Sequence, residues 1–119
     1  RVLLAYRDLG RQDSVPAARA VDYLTGLQNR DGGWGGTGAD PQNADPKSSV
    51  EETALAVQAL AASKPDALAG HAATIGAAWL VKAVEEDRFA EPSPIGFYFA
   101  KLWYYEKLYP LIYTLHALA

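Results

Sequence analysis

Apolar residues recur at helical spacing along most of the chain, and the breaks between runs fall at Gly, Pro and Ser/Asp clusters. Val2, Leu3, Leu4, Tyr6 and Leu9 predict a short first helix stopped by Gly10. Asp13-Ser14 can cap a second helix over about 15 to 29, with Pro16 tolerated in its first turn. There Ala20, Tyr23, Leu24 and Leu27 form one apolar face, and Arg19, Asp22 and Thr25 lie off it. Asn29-Arg30-Asp31-Gly32-Gly33 ends that helix, because glycine reaches the positive-φ conformation a C-terminal cap needs. From Asp31 to Lys47 neither period survives, and the five Gly and two Pro of that stretch predict a loop. Ser48-Ser49-Val50-Glu51-Glu52-Thr53 then opens a third helix, Ser49 and Glu52 making a capping box. Its stripe is Val50, Ala54, Val57 and Ala61, with Leu60 beside it, and it ends near Ser63-Lys64-Pro65. A fourth helix, about 70 to 86, carries Leu68, Ala72, Ile75, Trp79 and Ala83 on one face. Beyond the break at Glu91-Pro92-Ser93-Pro94 come two further segments, about 95 to 108 and 110 to 119, parted or kinked at Pro110. No segment sustains the alternation of a strand. The expected fold class is all-α, with antiparallel helix pairs in one domain, 1–119.

The most specific stretch runs from Arg19 to Trp34. Gln28 falls in the last helical turn, where carbonyls lack partners, and its amide can donate and accept together, tying one helix end to the start of a neighbour. Trp34, two residues past Gly32, is placed to lie flat over that amide. Arg19-Ala20, Tyr23-Leu24, Gln28 and Gly32-x-Trp34 stand at fixed offsets, a spacing that resembles the QW repeat of the triterpene cyclases, the squalene–hopene and oxidosqualene cyclase family. The likeness continues in order along the chain. Ser48 to Leu60 looks like the helix that follows a QW turn in bacterial cyclases, and Pro94 to Pro110 looks like the family's C-terminal Gly-Phe…Tyr…Tyr-x-x-x-(Phe/Tyr)-Pro segment. Trp79-Leu80 restates Tyr23-Leu24 about 56 residues on, with Val84 where Gln is expected, which reads as a decayed second repeat.

The resemblance implies that residues 1–119 are the C-terminal portion of a cyclase α/α barrel (toroid). It implies an isomerase without a cofactor, which turns squalene or a similar polyene into a pentacyclic hopanoid through carbocations. The family's catalytic acid, Asp-x-Asp-Asp, is absent here. Asp31, Asp40 and Asp45 are too scattered to replace it, and Glu51-Glu52 and Glu85-Glu86 read as capping and surface charge. This part therefore supplies QW-repeat stabilisation, through Arg19, Tyr23, Leu24, Gln28, Gly32 and Trp34, and part of the cavity wall.

For the wall, eight of the 13 aromatic residues lie between Phe97 and Tyr113, where a helix would put Tyr98, Leu102, Tyr105 and Tyr109 on one face and Phe99 and Trp103 on another. Each ring face stabilises a passing cation by roughly 0.5–2 kcal/mol. Counted back from Pro110, Tyr98 and Tyr105 match aromatic positions with which the family contacts substrate. Leu102 falls where bacterial members often carry Tyr, a departure that bears on the product.

Composition narrows the rest. A net charge of −3 offers no footprint for phosphate backbones, so no nucleic acid partner is expected. The absence of Cys excludes disulfides and thiolate metal sites. His71 and His116, 45 residues apart, have no supporting ligands, and Asp40, Asn43 and Asp45 lack the full set and closing Glu of a calcium loop, so no metal is expected. Ser48 and Ser49 have no base to activate them and read as caps. No unbroken run of 18 apolar residues or secretory signal occurs, and the opening Arg1-Val2-Leu3 without Met suggests an excerpt or processed piece. The expected partners are the remainder of the same cyclase chain and, because the substrate is a hydrocarbon, the cytoplasmic side of a bacterial membrane, held peripherally. A reading from another class is a non-catalytic helical-repeat module for binding or scaffolding. Related prenyltransferase subunits need an Asp, Cys and His zinc site, and Cys is missing.

Overall fold

The computed structural model describes residues 1–36, 47–97 and 102–119. Among them the order is α1 (Val2–Asp8), α2 (Val15–Gly26), α3 (Val50–Ala61), α4 (Ala67–Glu85), β1 (Pro94–Phe97), β2 (Leu102–Tyr105) and α5 (Tyr109–Leu118). The molecule is mostly helical, as expected, with α3 at its centre packed against α4, α5 and α1. Trp34, Val50, Ala54, Val57, Leu60, Ala72, Leu80 and Ala83 make the main core, and Leu24 and Leu27 close over it. A smaller cluster of Leu3, Ala17 and Ala59 joins α1 and α2 to α3.

Local chemistry sets the helix starts. Ser14 caps α2 by accepting from Ala17 N, and Ser49 caps α3 by accepting from Glu52 N at 3.2 Å. Asp66, not foreseen, caps α4 by accepting from Leu68 N and Ala69 N, so that helix begins three residues before the expected start. The second helix is shorter than expected: it ends at Gly26 instead of 29, and Leu27 and Gln28 fold into a tighter turn by donating to Leu24 O and Thr25 O. Gln28 therefore stands just outside the helix.

Two expectations fail on which face is inward. Tyr23 is 70% exposed while Val21 and Leu24 face the core. On α4 the buried residues are Ala69, Ala72, Gly76, Leu80 and Ala83, whereas Leu68 and Ile75 point out. The approach is closest at Gly76, where a Cβ would meet Trp34 Cζ3 at 2.5 Å and Val57 Cγ2 at 2.7 Å, while Leu80 fills the core beside it. By length and composition α4 could cross a bilayer, but here its small-residue face is the partner of α3.

The larger correction concerns 95–108. In place of one aromatic helix, β1 and β2 pair antiparallel, with Pro94 opposite Tyr105 and Gly96 opposite Trp103. Leu102-Trp103-Tyr104-Tyr105 is bulky and aromatic, which suits a pleated surface, and Pro94 is tolerated as the first residue of a strand. The strand period of two then puts Leu102 and Tyr105 on opposite faces, so the expected helical face is broken between these two residues. Pro110 sits in the first turn of α5, where its missing N–H is harmless.

Candidate functional site

The turn from Gln28 to Trp34 gathers three helices. Gln28 lies in it by way of two hydrogen bonds from Nε2, to Gly32 O at 2.9 Å and to Ala72 O at 3.0 Å. Ala72 is in the second turn of α4, so the amide grips the flank of its neighbour and not its start. Gly32 adopts φ +93°, and a Cβ there would sit 2.6 Å from Ile75 Cγ2, so only glycine fits this bend. Trp34, only 4% exposed, donates from Nε1 to Leu24 O at 2.8 Å, which satisfies a carbonyl in the last turn of α2. Its main chain is sewn to α3: Trp34 N donates to Thr53 Oγ1 at 2.9 Å, and Trp34 O accepts from Ser49 N at 2.9 Å. The indole packs on Gly76 of α4, where a Cβ would come within 2.5 Å of Cζ3. Gln28 and Trp34 thus meet α4 one turn apart, at Ala72 and Gly76.

Of the six residues assigned to the motif, Leu24, Gln28, Gly32 and Trp34 converge in this joint. Arg19 and Tyr23 stand exposed on α2. Residues that the spacing did not single out complete it. Asp31 Oδ1 accepts from Ser48 Oγ at 2.6 Å and from Gly33 N at 3.1 Å, and Oδ2 accepts from Trp79 Nε1 at 3.1 Å. Asn29 Nδ2 donates to Ser48 Oγ at 3.0 Å and to Gly35 O at 3.1 Å. An Asp two residues before a glycine is a known turn signal, and it was the legible clue to Asp31.

Partial burial works against charge on Asp31, but the Ser48 hydroxyl, the Gly33 amide and the Trp79 indole together outweigh it and hold the carboxyl below its ordinary 3.8. The folded chain then binds this proton less readily than the unfolded chain. Its contribution to stability is present in full above about pH 4 and is lost as pH falls through the folded value. Asp31→Asn is accordingly expected to weaken the fold at neutral pH and to flatten the acid limb of a stability-versus-pH curve. A variant curve parallel to wild type below pH 4 would count against this role.

Of the residues expected in an aromatic wall, Leu102 and Tyr105 lie on β2 and are 54% and 61% exposed, and their neighbour Trp103 is 58% exposed. Tyr98 and Phe99 lie outside the described residues, as do Asp40, Asn43 and Asp45. His71 and His116 are exposed on α4 and α5, and among the described residues no three His, Asp or Glu side chains gather as a metal site.

Two further features were not legible. An open groove of about 500 Å³ lies beside the joint, lined by Asp31, Lys47, Trp79, Lys82 and Arg88. Arg88 stacks over the Trp79 ring at 5.4 Å while binding Glu86 at 2.6 Å, and Lys82 reaches the same carboxylate at 3.7 Å. The adjacent acids of α3 also part company. Glu52 accepts from the Ser49 hydroxyl at 2.8 Å at the exposed cap, whereas Glu51 is buried and accepts from Ser93 N at 3.0 Å. Burial pushes the Glu51 carboxyl above its ordinary 4.5, the Ser93 N–H pulls against that, and the Glu52 charge adds to the rise.

In comparison with known proteins, the family model of the squalene-hopene cyclase C-terminal domain matches residues 1–119. No curated protein and no solved structure matches the chain.

Proposed function

The chain belongs to the family of squalene-hopene cyclase C-terminal domains, and from that premise we propose that it is the C-terminal part of a squalene–hopene-type triterpene cyclase. The full-length enzyme closes squalene or a similar polyene to a pentacyclic hopanoid through carbocations, without a cofactor. The observation that carries this reading is the family match along the whole of residues 1–119. The pairing of α3 with α4 and the joint at Gln28 and Trp34 agree with a place in a ring of paired helices. This part does not supply the initiating acid, since no Asp-x-Asp-Asp occurs in it.

Its chemical contribution is the hairpin. Tyr105 presents a ring without a strong nucleophile, which is what a migrating cation requires: electrostatic stabilisation that cannot trap it. Tyr98 joins it in the proposed wall, and Leu102, on the opposite face of β2 from Tyr105, stands at a position where the family often has a ring. The exposed apolar residues Leu102, Trp103, Tyr105, Leu108 and Leu115 are covered by the remainder of the same chain or face the polyene. The whole enzyme sits peripherally on the cytoplasmic side of a bacterial membrane, from which it draws its hydrocarbon substrate.

Incubating the full-length protein with squalene, followed by lipid extraction and gas chromatography–mass spectrometry, tests this. Cyclisation conserves mass and removes double bonds, so the expected result is a new polycycle isomeric with squalene or differing by one water. Squalene and related polyenes recovered unchanged would overturn the reading.

A further inference from the structure

We infer that Glu51 is a positioning residue for the aromatic hairpin: its carboxylate holds the one main-chain donor of Pro92-Ser93-Pro94 and so fixes where β1 leaves the helical core. The chemical consequence rests on the cyclase reading above; the anchoring itself does not.

Glu51 is 6% exposed in the first turn of α3. Capping does not explain it, because Ser49 and Glu52 already form the cap. A buried carboxylate is unfavourable unless it is bonded and electrostatically supported. Here the helix start offers positive potential, and Oε1 accepts from Ser93 N at 3.0 Å. Pro92 and Pro94 have no N–H, so the Ser93 amide is the only donor that step possesses. Proline also fixes φ on both sides, which leaves little slack between the anchored amide and Pro94, the first residue of β1. Pro94 stands opposite Tyr105 in the ladder. The two strands pack chiefly against each other, so a shift at their foot is carried to Tyr105 instead of being absorbed by a helix. Glu51 touches no reacting atom; it sets the place of a ring that is proposed to.

Hydrogen–deuterium exchange on the full-length enzyme decides it, with Glu51→Ala, Glu51→Gln and Ser93→Pro. Glu51→Ala should speed exchange at Ser93 and in 95–97 and 102–105 by about 10- to 100-fold, the range a hydrogen bond to a charged group is worth. Glu51→Gln keeps an acceptor oxygen and should restore protection. Ser93→Pro removes the donor and should loosen 95–97 and 102–105 while leaving Glu51 in place. Native exchange in Glu51→Ala, or a Glu51→Gln as loose as Glu51→Ala, overturns the anchor. Should Glu51→Ala not fold, native protection of 95–97 and 102–105 in Ser93→Pro overturns it equally. With squalene, Glu51→Ala and Ser93→Pro should release products with fewer rings at little change in KM, and Glu51→Gln should give the wild-type products. A wild type that leaves squalene untouched defeats the cyclase reading alone, and the exchange result still decides the anchor.

Discussion

Replacing Trp34 with alanine is expected to destabilise the fold by about 3–5 kcal/mol, the range for deleting a fully packed large aromatic side chain. Three separate losses contribute. The indole leaves the main core, where it lies among Val57, Leu80 and Ala72. Its departure opens a cavity against Gly76, which has no side chain to fill it. It also removes the indole's hydrogen bond to the Leu24 carbonyl at the end of α2, leaving that carbonyl the Leu27 amide alone. Alanine keeps the main-chain bonds to Thr53 and Ser49, so the turn itself should survive and only the packing should fail. Urea unfolding followed by far-ultraviolet circular dichroism measures this, with an earlier midpoint and an unchanged slope expected. In the full-length enzyme the product ratio should move far less than the melting temperature. A midpoint within error of wild type would show that the indole is not a structural clamp.

The second large effect comes from the other side of the same contact. Gly76→Ala adds a methyl that would stand 2.5 Å from Trp34 Cζ3 and 2.7 Å from Val57 Cγ2, distances that force a shift. Overpacking of this kind destabilises by about 1–3 kcal/mol, enough to exceed the gain of up to ~1 kcal/mol that alanine brings over glycine in a helix. Gly70, also in α4, has open space around the same position. Gly70→Ala should therefore stabilise, giving two identical substitutions on one helix with opposite signs. The cost at Gly76 should also shrink when Trp34 is already alanine, because the nearer of its two obstacles has gone. Additive single and double mutants would mean that indole and glycine do not touch in solution.

How far the site was legible depended on the kind of signal. Gln28 and Trp34 could be picked out because the joint needs particular chemistry at fixed offsets: an amide, a bend only glycine can make, and an indole. The sequence marks Asp31 as a turn residue but hides its three hydrogen bonds, since two of its donors, Ser48 and Trp79, come from distant sequence. Tyr23 belongs to the same spacing yet points away. The pair Glu51-Glu52 shows the limit most clearly. Both suit a helix start, and nothing local says that one caps in solvent while the other is buried against a proline-flanked amide forty residues later.

The amino-acid sequence alone determined where most helices begin and end, because caps, glycines and prolines act within a few residues of themselves. It also determined the family, through residue types at set distances. Only the tertiary structure decided which face of α4 turns inward. Periodicity ranks faces by the size of apolar side chains, whereas packing against α3 and Trp34 selected a face of mostly small residues around Leu80, with room only for glycine at 76. The tertiary structure likewise decided that 94–97 pairs with 102–105 as strands, since aromatic residues satisfy a helix stripe and a pleated strand alike until a partner strand supplies the hydrogen bonds.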